Sequence, residues 1–260
     1  MSLIRPILLI AGNTITGILR GVVLNVLLVL AGLLIIAGTA SFSIEELGKY
    51  NILVDSGLAI ITVLGAMIAI LTGFTIIPHE VETRTIYPIL SKPIYRWQFV
   101  LGKFLGATGI DAITVGLLSV IFFLIYFVRL HVFDWRLLVA VLMILAMLIV
   151  LSGLIIFLST FMSWIGTIIV AAVVWFLGNY STFLYDLATQ HEQNALSSTL
   201  VAVVHKIIPN FQQMDMRFII VQQDVGFGEP AVFLYPLLYG LLFTAIVLAL
   251  ATLIFNYREL

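Results

Sequence analysis

Residues 136–160 read RLLVAVLMILAMLIVLSGLIIFLST, and after Arg136 no charge interrupts the run. A stretch of about 20 apolar residues is what an α-helix needs to cross a hydrocarbon core ~30 Å thick. Working outward, comparable runs lie at roughly 21–42, 56–77, 104–128, 164–187 and 232–255. Inside lipid the backbone must satisfy its own hydrogen bonds, and these segments show no period-2 alternation, so helices are expected rather than barrel strands. Composition agrees: 62% of the 260 residues are hydrophobic and 10% charged, with a mean hydropathy of +1.21. That leaves too little polar surface for a soluble globule, which runs near ~25% charged. The predicted fold is an all-α integral membrane bundle of six transmembrane helices.

The chain has no cysteine, which excludes disulfides, zinc-thiolate sites, iron–sulfur clusters and cysteine nucleophiles. A formal net charge of −1 gives no sign of nucleic-acid binding, so the placement of charge carries more than its sum. The first 20 residues, MSLIRPILLIAGNTITGILR, resemble a signal peptide only superficially. Gly12, Asn13 and Thr14 break the apolar stretch, no small-residue cleavage site follows, and a full span comes next. Ile4, Ile7, Leu8, Ala11, Ile15 and Ile18 recur at helical spacing, predicting an amphipathic helix in the membrane interface.

Six spans put both termini on one side. With the N-terminus cytoplasmic, the inner segments hold Arg5, Arg20, Arg84, Lys92, Arg96, Lys103 and Arg258 against Glu80, Glu82 and Glu259, a balance of +4. The outer segments hold five basic and nine acidic residues, a balance of −4, with Arg129 and Arg136 running against the positive-inside rule. The expected location is the cell (inner or plasma) membrane with cytoplasmic termini. Two connections exceed turn length, 78–103 inside and 188–231 outside. The outer one has apolar-rich stretches at 196–208 and 211–223, each too short to span and each holding a cation, Lys206 or Arg217. Short helices lying on the outer surface are expected there. No repeat or low-complexity linker divides the chain, which reads as one domain over 1–260.

The inner connection reads PHEVETRTIYPILSKPIYRWQFVLGKFLG from Pro78 to Gly106. Pro78, Glu80 and Glu82 suit a helix N-terminus, and Glu80 and Arg84 are spaced for an i,i+4 ion pair. Pro88 bends or stops this short helix and Pro93 turns the chain; Arg96, Trp97 and Lys103 mark its return to the bilayer as interface anchors.

The order E-V-E-T-R-T-I-Y-P-I-L-S-K-P-I-Y-R-W-Q-F-V-L-G-K-F-L-G resembles the region between the second and third spans of ABC-2-type permeases. The likeness is to the branch that includes the membrane subunit of the nitrous-oxide-reductase maturation transporter. The N-terminal amphipathic helix, Ile207–Phe211 (IIPNF) and Phe255–Leu260 (FNYREL) sit where that family has comparable features. The resemblance implies a coupling helix docking an ATP-binding subunit, with His79, Glu80, Glu82, Thr83, Arg84, Thr85 and Ile86 at the contact. Pro88, Lys92, Pro93, Arg96 and Lys103 would form its turn and anchor. Arg84, where the family often has Gly, and Pro88 depart from the pattern. Two membrane subunits, copies or paralogues, would pair above two ATPases. The chain has no G-x-x-x-x-G-K-[ST], so ATP and Mg are expected on the partner, with no cofactor, metal or catalytic residue on this chain. Lack of a binding-protein docking motif favours export; the cargo is not named by any motif.

Asp111, about 12 Å along a helix from Lys103, is the one acid well inside a span. Two readings stay open for it: a polar translocation path, or a bond to a neighbouring helix. Gly102, Gly106 and Gly109 form a small-residue patch suited to close helix packing. His79, His131, His191 and His205 have no spacing for a metal site, and Trp97, Trp135, Trp164, Tyr235 and Tyr239 read as interface aromatics. An intramembrane enzyme would need H-E-x-x-H, G-x-S-x-G or a comparable cluster, and none is present. An ion-coupled carrier would show repeats and several buried ionisable groups. A non-transporting membrane scaffold is the remaining alternative.

Overall fold

The computed structural model describes residues 4–40, 49–73, 95–181, 208–217 and 231–257. Among these the chain is helical: α1 (Ile4–Leu19), α2 (Val22–Ala40), α3 (Lys49–Gly73), α4 (Arg96–Leu130), α5 (Arg136–Ser159), α6 (Trp164–Asn179) and α7 (Ala231–Tyr257), with a 3-10 turn at Phe211–Met214. Helices α3, α4, α5 and α7 are each long and apolar enough to cross a membrane, and α1 with α2, bent by 65°, makes up to a fifth crossing. α6 is apolar but shorter, 16 residues. The 35-residue α4 begins at Arg96 rather than near 104, because Gln98 Oε1 accepts the Tyr95 N–H at 3.1 Å and starts the helix before the bilayer run.

Connections are tight. His131 ends α4 in the left-handed region (φ 52°), its N–H donating to Phe127 O. Asp134 then starts α5, its carboxylate accepting the Arg136 N–H at 2.9 Å. Ser163 caps α6 by accepting from Gly166 N.

The register follows from where small residues admit large ones. On α3, Gly57 faces Phe122 of α4, Gly65 faces Leu148 and Gly73 faces Ile155, both of α5. A Cβ at any of the three would lie 2.2–2.8 Å from its neighbour, so the helices approach at glycine. The order 65 to 148 and 73 to 155 makes α3 and α5 parallel; 150 to 240 and 153 to 244 does the same for α5 and α7. α4 runs against α7, since Phe99 meets Phe255 and Phe104 lies by Gly153 and Thr244. The main core is built from α2, α3, α4, α5 and the 211–216 turn around Phe122, Tyr126, Leu148 and Phe211.

Two expectations change. The interfacial helix α1 does not lie on lipid alone: Ile7, Ile10, Ala11 and Thr14 are buried and pack on α4, whereas Leu8 is 60% exposed. Its glycine receptors are Gly102, Gly106 and Gly109, which meet Ile10, Thr14 and Ile15 in turn. Of the two outer stretches, 196–207 and 218–223 lie outside the described residues, and the described start of the second, at 211, is not a surface helix. It is a 3-10 turn driven into the bundle, with Phe211, Met214 and Met216 1–2% exposed. Apolar side chains, Gly178 of α6 and Gly240 of α7 make its seat. The fifth predicted span, 164–187, is helical from Trp164 to Asn179; 182–187 lie outside the described residues.

Candidate functional site

The sequence places its strongest signal at the cytoplasmic entry to α4. His79, Glu80, Glu82, Thr83, Arg84, Thr85, Ile86, Pro88, Lys92 and Pro93 lie outside the described residues. The described part starts at Tyr95, an extended residue leading into α4.

Arg96 occupies the first turn, and its Nη1 donates to two backbone oxygens at the far end of the chain, Phe255 O at 2.7 Å and Asn256 O at 3.1 Å. These belong to the last turn of α7, where four carbonyls lack helical partners and the dipole is negative. The guanidinium also lies 5.9 Å from the Phe255 ring centroid. Phe255 stacks on Phe99 at 5.6 Å and 13°, and the Lys103 ammonium lies 5.5 Å from the Phe99 centroid. Lys103 was expected at the lipid interface as an anchor; it is 2% exposed, its stem enclosed by α4's neighbours. The reason is the α1 helix, which covers this turn of α4 with Ile10 and the Ile7 carbonyl against Gly102.

Two turns further in, Asp111 is 2% exposed and accepts a hydrogen bond from Ser152 Oγ of α5 at 2.6 Å. The bond joins α4 to α5. Thr114 and Thr244, also buried, hold hydroxyls with no partner among the described residues, and Thr244 packs on Gly153 beside Ser152. We expect Asp111→Ala and Ser152→Ala each to lower stability by about 1–3 kcal/mol, because each leaves a buried polar partner unpaired. Asp111→Asn, which keeps an acceptor for Ser152, should lose less. Thermal unfolding in detergent reads the order; equal losses for Asn and Ala would contradict it.

On the opposite face, Asn210 N donates to Tyr239 Oη at 3.3 Å, so Tyr239 supports this turn rather than standing in an aromatic belt. Arg217 pairs with Asp215 through two bonds from Nε, 2.8 and 2.9 Å, and one from Nη2. That pairing raises the Arg217 pKa above its ordinary value, against the opposing effect of burial, with Asp55 and Tyr180 adding to the rise. Trp97, Trp135, Trp164 and Tyr235 are exposed at helix ends, as interface aromatics are.

The structure thus joins Arg96 and Lys103 through one aromatic stack and sets Asp111 apart, further along α4 and bonded to Ser152 of α5. Sequence reasoning missed Phe255 as the partner of Arg96 and missed the α3 glycines, whose signal is their repeat at 57, 65 and 73.

The described helices and composition make this a multi-pass membrane protein. Comparison with curated proteins gives no match. The family described as ABC-2 family transporter protein matches residues 16–260, which takes in α2 to α7, the inner connection and the outer one. The chain belongs to the ABC-2 family of transporter membrane proteins.

Proposed function

We propose that this chain is the membrane-spanning permease subunit of an ATP-driven ABC exporter, coupled to an ATPase carried on a separate polypeptide. The family match over 16–260 carries this reading. In it the chain is one transmembrane domain with six spans, α2 to α7, and cytoplasmic termini. The parallel run of α3, α5 and α7 against α4 supports that alternation. Residues 79–86 form the coupling helix, 88–93 turn the chain back, and ATP and Mg sit on the partner. A second permease copy or paralogue completes the assembly in the cell membrane. The resemblance of Glu80–Gly106 to the nitrous-oxide-reductase maturation branch supports the position of the coupling helix.

Because the chain has no cysteine, an introduced thiol is unique. A photo-activatable cross-linker on Glu82→Cys in native membranes is expected to capture a Walker-motif ATPase, whereas the same reagent on Gln212→Cys captures none. Capture from position 212 but not 82 would reverse the orientation. No ATPase from either position would remove the transporter reading.

A further inference from the structure

The stack at the entry to α4 has a mechanical consequence. The chain leaves the proposed coupling segment at Pro93 and enters α4 three residues later, so a displacement of that segment reaches the helix at Tyr95–Arg96. There Arg96 grips the backbone of α7 through Phe255 O and Asn256 O. The next turn adds Phe99 lying flat on Phe255, with Lys103 on the Phe99 ring. A side chain that grips two carbonyls at once, with a planar charge over an adjoining ring, resists both sliding and tilting. α1 closes the other side of the same turns, with no space for a Cβ at Gly102 or Gly106. Further from this end, α7 turns its contacts to α5 and the 211–214 turn: Thr244 meets Gly153, and Gly240 meets Val150 and Met214. The α4–α7 bond through backbone oxygens is therefore local to the end where the coupling segment enters.

We propose that Arg96 is a positioning residue that clamps the start of α4 and the end of α7 into one moving body, so that motion entering α4 from the coupling segment carries the last helix with it. The transmission of nucleotide-driven motion rests on the functional reading above; the clamp itself rests only on the contacts just described.

The test places nitroxide labels on Trp97→Cys and Tyr257→Cys, side chains 38% and 87% exposed at the two helix ends, in the otherwise cysteine-free chain. Dipolar broadening then reports their separation in the intact complex, with and without trapped nucleotide. The expected result is one narrow separation, the same in both states. In Arg96→Ala the distribution should broaden and shift on nucleotide trapping, with Arg96→Lys, which keeps the charge but loses the fork, falling between. A separation that changes by several Å in the wild-type background would overturn the one-body proposal. A distribution as narrow and fixed in Arg96→Ala as in wild type would overturn the role of Arg96. The nucleotide-free comparison of wild type with Arg96→Ala needs no ATPase, so failure of the clamp and failure of the transporter reading are told apart.

Discussion

Gly178→Val should unseat the 208–217 turn and lower stability by about 3 kcal/mol, the upper end of what overpacking usually costs. The magnitude follows from what the new Cβ meets. It would stand 2.5 Å from Phe211 Cδ2 and 2.6 Å from the Pro209 carbonyl oxygen, and the second is backbone. A flexible side chain can turn aside; a carbonyl held by its neighbours in the turn cannot. Phe211 is 1% exposed, packed in the main core, so the added side chain pushes the segment out of its seat. The reporter is Met214→Cys, at a side chain 2% exposed, whose reaction with maleimide should be slow in the Gly178 background and fast in Gly178→Val. Gly116→Ala, where nothing lies within 4 Å of the added Cβ, is the control and should shift the thermal midpoint little. A Gly178→Val protein as stable as that control, with Met214→Cys still protected, would show that the turn is not seated on α6.

The second large effect is expected at residues outside the described helices. Replacing Glu80, Glu82 and Arg84 together by alanine removes the charges at the proposed docking helix together with the i,i+4 pair that supports it. Loss of the central contacts of a docking surface costs about 2 kcal/mol or more, and each 1.4 kcal/mol is tenfold in affinity, so binding of the ATP-binding subunit should fall by roughly thirtyfold. The membrane fold should survive, because α4 starts at Arg96 with its own cap and its own bond to α7. Quantitative recovery of the ATPase with the purified variant checks this. Undiminished recovery would move the docking site elsewhere; loss of the ATPase along with a collapsed thermal midpoint would reduce the effect to misfolding.

The helices were legible because lipid imposes a single demand on sequence, a long apolar run, and each of the six predicted runs overlaps a described helix, four of them long and apolar enough to cross a membrane. α6 follows its run as far as Asn179, and the rest of that run, 182–187, lies outside the described residues. α4 starts at Arg96, ahead of its apolar run at 104–128. Gln98 and Lys103 look interfacial in composition, yet both are buried, and Arg96 at the helix start bonds the end of α7. A hydropathy pattern does not say which polar side chain finds a partner 159 residues away. The 211–214 turn is buried although its stretch is too short to span and holds Arg217, which pointed to the surface; only the facing glycines at 178 and 240 reveal the slot that takes Phe211 and Met214. Asp111 was singled out correctly as buried, but its partner Ser152 carries no signal of its own in a run of leucines and isoleucines.

The central claim is that this membrane chain works with a separate ATPase. Purification of the intact complex from its native membrane, followed by mass spectrometry of everything that remains bound in mild detergent, tests it most directly. The account predicts a Walker-motif ATP-binding subunit recovered in equal amount with this chain. Intact, folded chain recovered with no ATPase in any preparation would contradict it.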